Sequence, residues 1–335
     1  INQRLAQQCN EALGRAPYER SADRRLRNGY KTISLRGLFS RWRIRKPVLR
    51  RGTPDYPLVD LLRRAGTHVL GLLASRFWLR GAATRATAQE LNETFGSHLS
   101  ASDVSTFSNE LLPTVQAWMT RLITMPIVYI FFDAIDLPIR RKTSEKQALL
   151  AAIGITPDGH THTLGFLLGD KESTDAWSAL IKDLLARGLD RNLLKLAVSD
   201  DHKAIRSAVD RELAVPHQLC LVHKMRNVRL RVAPKDRTAF LDDFKAAYWA
   251  ESRDRAFLAL GQLQSKWQKS YPTAVRNALA DAESFLRFMD QPRALWTSLR
   301  SSNIIERFNR ELRRRLRSAG ALPGENSLCK LLWSI

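Results

Sequence analysis

The chain has 335 residues, of which 44% are hydrophobic, and carries three cysteines and a formal net charge of +21. That hydrophobic share supports a buried core and excludes a disordered tail, while the length allows two or three domains. The excess of Lys and Arg points to a polyanionic partner, most simply nucleic acid, with a merely basic or ribosome-associated protein as the alternative.

Cys9, Cys220 and Cys329 are odd in number and far apart. They make no disulfide framework and fit a reducing, cytoplasmic and nucleoid-associated setting. No stretch approaches the about 18 uninterrupted apolar residues of a membrane span, and no signal peptide opens the chain. It begins at Ile1 and stops at Leu331-Leu332-Trp333-Ser334-Ile335 within an apolar helical pattern, which reads as a fragment at both ends.

The basic residues cluster twice. One cluster runs from Arg24 to Arg51, where Trp42 sits among Arg41, Arg43, Arg45 and Lys46; the other runs from Arg300 to Arg317 and includes Arg313 and Arg314. Clustering matters because phosphate contacts must line up on one surface.

Residues 1–28 are polar and basic with no clear signal. Residues 31–50 alternate, with Ile33 and Leu35, then Trp42 and Ile44, between polar neighbours; period two predicts a small β element with a cationic face or an ordinary amphipathic hairpin. These make a basic N-terminal region over 1–56. Pro57 opens a long helix to about Phe77. A second helix ends at Gly96, and Ser100 or Ser102 caps a third from Asp103 to about Leu112, where Pro113 breaks the pattern. Helix, Gly turn and capped helix are the outline of a helix-turn-helix, so 57–125 is expected to be a helical DNA-binding region, with plain helical packing as the alternative.

From 126 the pattern changes. The apolar run Ile127–Phe132 predicts a buried strand ending at Asp133. Gln147–Thr156 and Thr161–Leu168 predict a hairpin around Pro157-Asp158-Gly159-His160. Ser173 caps a helix that Gly188 ends; Leu193–Ser199 is a fourth strand ending at Asp200; a helix follows from about His202 to Leu213; and Gln218–His223 is a short strand leading into another helix. The order β-β-β-α-β-α-β-α is that of a ribonuclease H-like domain over 126–335, with an all-α insertion at about 234–300. The expected fold class is thus α/β.

Asp133 and Asp200 fall at the ends of neighbouring central strands. Two ionised carboxylates there repel one another, and a divalent cation removes the conflict. Glu306 would complete the site, so two cations, Mg²⁺ or Mn²⁺, are the expected cofactors, able to activate water or a 3′-hydroxyl and to stabilise a leaving oxygen. For any one of these acids the alternative is a surface carboxylate. Asp136 competes with Asp133, but period two puts them on opposite faces, and Asp133 follows the apolar run directly. Asp201 competes with Asp200 and is expected to cap the next helix. Asn303, Glu306, Arg307 and Arg310 recur at i, i+3, i+4 and i+7 on one helix face, which suits a metal ligand beside DNA phosphates or a solvated Glu–Arg pair. Cys220 and His223 form a Cys-x-x-His pair. Even with His202 or His217 in mind it falls short of a structural zinc site, and nothing else supports a Cys–His protease, so a half-buried strand-end pair near the site is expected.

Four segments carry a resemblance: Phe132–Ile135; Val198–His202; Gln218–Asn227; and Ser302–Arg310. Gly154–Gly159 and Leu164-Gly165-Phe166 also fit. From roughly Tyr30 onward the chain resembles bacterial Mutator-type transposases of the DDE class. The resemblance implies that Asp133, Asp200 and Glu306 are a metal-binding catalytic triad, and that Cys220 and His223 are the family's signature between the second Asp and the Glu. It also implies an N-terminal region that binds terminal inverted repeats. The expected partners are double-stranded DNA and further copies of the chain, in the simplest case a dimer. Asp136 and Asp201 depart from the family pattern without removing a catalytic residue. The expected function is an insertion-sequence transposase; the alternatives are a ribonuclease H-like nuclease and a truncated or domesticated, non-catalytic DNA-binding protein.

Overall fold

The computed structural model describes residues 1–14, 16, 19, 26–36, 41–52, 54–137, 147–169, 172–319 and 324–335. Two units emerge, one of Ile1–Thr114 with Arg314–Gly320 and Ser334, the other of Val115–Arg313 with Ala321–Trp333 and Ile335.

The first unit opens with helix α1 (Asn2–Leu13). Its stripe is Leu5, Cys9 and Leu13, a four-residue spacing that the polar composition of 1–28 hides. These side chains pack on Leu35, Ile44 and Leu49 of an antiparallel hairpin, β1 (Arg27–Arg36) and β2 (Arg41–Leu49), and on Tyr56 and Val59. Period two holds in part: Ile44 is 2% exposed, while Trp42, on the same face, is 40% exposed. Arg43 and Arg45 pair with Ser34 and Thr32 on the opposite, polar face, and Arg45 stacks 4.8 Å from the Tyr30 ring centre. Lys46 belongs by parity to the other face and lies 4.7 Å from the Tyr56 ring centre, so it does not extend the row of Arg43 and Arg45. The side chain of Arg41 and all of Arg24 lie outside the described residues.

Three helices follow: α2 (Pro57–Leu79), with Pro57 at its first position, α3 (Thr84–Phe95) and α4 (Ala101–Asn109). Gly96 ends α3 in the left-handed conformation. A capping box starts α4 earlier than the sequence pattern indicates: Ser100 Oγ accepts from the Asp103 N–H, and the Asp103 carboxylate accepts from the Ser100 N–H at 2.8 Å. Asn92 fixes the intervening turn, accepting from the Leu99 N–H at 2.7 Å and donating to the Leu99 carbonyl at 2.9 Å. At Gly71 of α2 an added Cβ would lie 2.9 Å from the Phe107 ring, so this helix approaches α4 closely because it lacks a side chain there. The chain leaves α4 at Asn109, before Pro113, and resumes in α5 (Leu112–Met119).

The second unit is a mixed α/β fold around a five-stranded sheet, ordered β5-β4-β3-β6-β7. Strands β3 (Tyr129–Leu137), β4 (Gln147–Ile155) and β5 (Thr161–Gly169) run antiparallel; β6 (Leu196–Ser199) and β7 (His217–Leu219) run parallel to β3. Helices α6 (Thr174–Ala186), α7 (Lys203–Glu212) and α8 (Leu221–Arg229) follow β5, β6 and β7. One core joins Ile130, Phe132, Leu150 and Leu164 of the sheet to Trp177, Ile181 and Leu184 of α6 and Ile205 and Val209 of α7. Strand β6 begins at Leu196, later than its apolar run predicts. Asp190 accepts from the Asn192 and Leu193 N–H groups and holds the preceding residues in a turn. Strand β7 ends at Leu219, so Cys220 and His223 lie at and within the start of α8 rather than on a strand.

Then come α9 (Arg237–Tyr248), α10 (Arg253–Trp267), α11 (Pro272–Leu279), α12 (Ala282–Phe285), α13 (Trp296–Leu299), α14 (Asn303–Ala319) and α15 (Glu325–Trp333). Phe240, Phe244, Tyr248, Leu260, Leu263 and Val275 are buried as their spacing predicts, but Phe257 is exposed, with Ala256 taking the inward place. The ring of Phe308 on α14 stacks on Phe166 of β5 at 5.3 Å. Among the described residues no helix is long and apolar enough to cross a membrane.

Candidate active site

Asp133 lies within β3, which runs on to Leu137, and not at its end as the apolar run indicates. The parallel register pairs Phe131 with Val198. Counting two residues onward along both strands brings Asp133 beside Asp200. Asp133 is 9% exposed. Its Oδ2 accepts from Asn309 Nδ2 at 2.6 Å and its Oδ1 from the Ala134 N–H at 3.0 Å. Burial, and after it the charge of Asp200, pushes the Asp133 carboxyl from 3.8 up to about 7, with the charge of Glu306 adding to the rise. Asp136 is exposed near the end of β3, although Ile130 and Phe132, of the same parity, are buried.

Asp200 follows β6 directly. Ser199 Oγ donates to the Asp200 carbonyl at 2.7 Å and lies 2.8 Å from His217 Nε2 on β7. A hydroxyl has one proton, so His217 Nε2 is the donor in the second contact. Burial pushes His217 down to about 4, which keeps it neutral in that role. Asp201 does not cap α7: its carboxylate pairs with Arg206 at 2.8 Å, and His202 Nδ1 accepts from the Ala204 N–H instead.

Glu306 lies in the first turn of α14. Its Oε1 is 3.4 Å from Arg226 Nη2 and 3.8 Å from His223 Nε2, both on α8. Asn303, Arg307 and Arg310 are exposed on the same helix, as are Arg313 and Arg314. Asn309, three residues beyond Glu306, is buried and is the residue that reaches Asp133; the sequence pattern marks only Asn303 as an asparagine beside Glu306. A fourth acid, Glu172, accepts from Trp177 Nε1 at 3.0 Å and sits 3.2 Å from His202 Nδ1. Burial raises its carboxyl, and the charges of Asp200 and Asp136 add to the effect. It sits in a polar stretch before Ser173 with no periodic signal to mark it.

Cys220 is buried at the N-terminus of α8. Its Sγ accepts from the Ser302 N–H at 3.3 Å and lies 3.3 Å from Ser302 Oγ, while the Leu221 N–H donates to the Arg300 carbonyl at 3.0 Å. The β7–α8 junction is thereby tied to the residue that precedes α14, the helix carrying both Glu306 and Asn309. His223 adds its contact to Glu306, and its Nδ1 is buried with no partner among the described residues.

Asp133, Asp200 and Glu306 supply carboxylate oxygens, the donor type of Mg²⁺ or Mn²⁺. A buried carboxyl raised by like charge fits a cation there, because a cation removes both penalties. Among the described residues no three His, Cys, Asp or Glu side chains converge closely enough to hold one ion as they stand; Glu306 is engaged with Arg226 and His223.

The second unit is thus an α/β domain with acidic residues where β3 passes the carboxyl end of the parallel strand β6. The chain belongs to the Mutator family of transposases, whose pattern it matches over residues 1–335. It is 29% identical over 337 residues to the transposase of insertion sequence element IS1201 of Lactobacillus helveticus, covering 98% of this chain and 89% of that one. It is 27% identical over 343 residues to the transposase of IS256 in transposon Tn4001 of Staphylococcus aureus, covering 100% and 86%. A chain of the simian T-cell lymphotropic virus intasome in complex with PP2A regulatory subunit B56 gamma aligns at 14% identity over 62% of this chain and 64% of that one. Its TM-score of 0.20 carries no fold argument.

Two predictions follow from this geometry. A carboxyl whose folded pKa lies above its unfolded value binds its proton more tightly when folded; its contribution to stability is complete below about pH 4 and is lost as pH rises through about 7. In chelator, Asp133→Asn should therefore melt about 5 °C or more above wild type at pH 8 and near it at pH 4; equal melting at both pH values would show that Asp133 carries no such penalty. Cys220→Ser keeps an acceptor for the Ser302 N–H and should retain near-normal stability. Cys220→Val leaves that buried N–H unpaired and should cost about 1–3 kcal/mol in urea unfolding. Equal stability of the two variants would show that the Sγ contact does not anchor the start of α14.

Proposed function

We propose that the chain is the DNA-cleaving and DNA-joining enzyme of an insertion sequence, with a ribonuclease H-like second unit and Asp133, Asp200 and Glu306 as its DDE triad. The observation that carries this reading is the adjacency of Asp133 and Asp200 on parallel strands, close enough for one charge to raise the other's pKa. The strand order, with three antiparallel strands and two parallel additions beside β3, is consistent with that fold.

In this account Asp133 and Asp200 hold two divalent cations, Mg²⁺ or Mn²⁺, and Glu306 joins them. When bound, the cations lower the pKa of a water or a 3′-hydroxyl and neutralise charge on the leaving oxygen. Asn309 through Oδ2 and the Ala134 N–H through Oδ1 hold the Asp133 carboxylate in orientation. Ser199, fixed by neutral His217, holds the backbone at Asp200. Cys220 sets the start of α14, and so the reach of Glu306. Arg307, Arg310 and Arg313 present cations along the same helix to DNA phosphates, with Asn303 as a neutral donor beside them. Arg314 follows on that helix. Arg43 and Arg45 on the polar face of the hairpin, with Arg41 and Lys46 in the same cluster, and the α3–turn–α4 segment serve to bind the terminal inverted repeats. The helices between α8 and α14 form an insertion, and two copies of the chain hold two element ends.

Donor DNA bearing the element's ends, incubated with Mg²⁺, tests this. Wild type should nick the ends and join the 3′-hydroxyl to target DNA. Glu306→Gln should lose more than the roughly 100-fold that loss of an outer-shell partner costs, with DNA affinity kept. Equal activity in both proteins would remove Glu306 from the site, and cutting without joining would make the protein a nuclease.

A further inference from the structure

A cleft of about 600 Å³ opens between α8 and α9, lined by Arg226, Arg229, Arg237 and Lys245 together with apolar Val222 and Met225. Its charge is poorly balanced. Arg237 is fixed by a bond from Nε to the Val232 carbonyl at 2.9 Å; Lys245 has only an exposed pair with Asp242 at 3.9 Å; and Arg229 makes no ion pair among the described residues. Four cations on two neighbouring helices exceed what one small anion requires and match successive phosphates of a nucleic-acid strand. One of the four is shared with the acidic site, since Arg226 Nη2 pairs with Glu306 Oε1 at 3.4 Å.

We propose that this cleft binds phosphodiesters of the DNA strand beside the bond to be cut, and that Arg226 couples its filling to assembly of the cation site. Arg226 Nη2 and His223 Nε2 both face Glu306 Oε1, at 3.4 and 3.8 Å, and among the described residues no three acidic or metal-ligating side chains converge. Arg226 is 59% exposed and Glu306 24%, so their pair is weak, and a phosphate that offers the guanidinium two oxygens competes with the single contact to Glu306. Once Arg226 turns to the phosphate, Glu306 is released toward Asp133 and Asp200. The device withholds the complete site until DNA is in place. It rests on the reading of those three acids as cation ligands. Linkage makes it reciprocal: DNA tightens cation binding and cations tighten DNA binding by the same factor.

Calorimetric Mn²⁺ titration of the full chain tests the coupling, with and without a terminal-repeat duplex whose scissile linkage is blocked. Wild type should bind Mn²⁺ about fivefold or more tightly with the duplex present. Arg226→Gln should bind Mn²⁺ more tightly than wild type without DNA and lose most of the duplex-induced gain. Arg229→Gln, with the same change in charge, should keep the gain, while its DNA affinity falls and the salt slope of binding drops by about one. If Arg226→Gln and Arg229→Gln behave alike toward Mn²⁺, the coupling is overturned and Arg226 acts only as a nearby charge. Arg229→Gln binding DNA with unchanged affinity and salt slope would overturn the cleft as a phosphate site. Asp133→Asn separates the two readings: if it binds Mn²⁺ as wild type does, the cation site itself is wrong. If it loses Mn²⁺ while Arg226→Gln keeps the full duplex-induced gain, only the coupling fails.

Discussion

A buried carboxylate, Asp133, held beside the half-buried Asp200 sets the terms for the second unit. The pairing of β3 with β6, backed by a core that runs from Ile130 and Phe132 to Trp177 and Ile205, sets the backbones of Asp133 and Asp200 near one another. A fold tolerates such a pair only with compensation. Part of it is visible in the two hydrogen bonds to Asp133 and in its shift toward the neutral form. In the proposed function the remainder would come from a divalent cation between them. The instability and the function have one origin.

The acid on α14 is positioned differently. Asp133 and Asp200 are fixed by strand register, whereas Glu306 depends on where its helix begins. That point is set by Cys220 meeting Ser302, and the helix is held further along by Asn309 on Asp133 and by Phe308 on Phe166. Two carboxylates placed by the sheet, with a third on a helix whose side chain is engaged by Arg226, are what the proposed two-stage assembly needs.

Much of this is legible in the sequence because it rests on local patterns. The long apolar run before Asp133 and the Pro157-Asp158-Gly159 turn mark β3 to β5. The capped helices α4 and α6 and the one-face spacing of α14 are equally local. The unread parts depend on partners far away in the chain. Strand β7 has three residues, too few to show a period, so Cys220 falls on a helix terminus and not on a strand. Spacing marks Asn303 as the asparagine beside Glu306, and only packing shows that Asn309 is the one that points inward. Arg226 is one of 54 Lys and Arg residues, and nothing local distinguishes the one that meets Glu306. Glu172, just ahead of α6, becomes part of the acidic neighbourhood only because the fold brings it near Asp200.

The claim at the centre is that the strand carboxylates are a cation site. Anomalous diffraction from crystals of the full chain grown with Mn²⁺ and an element-end duplex tests it directly. The account predicts manganese density between the Asp133 and Asp200 carboxylates, with Glu306 turned from Arg226 toward it. Density free of metal at millimolar Mn²⁺, with Asp133 still bonded only to Asn309 and Ala134, would contradict it.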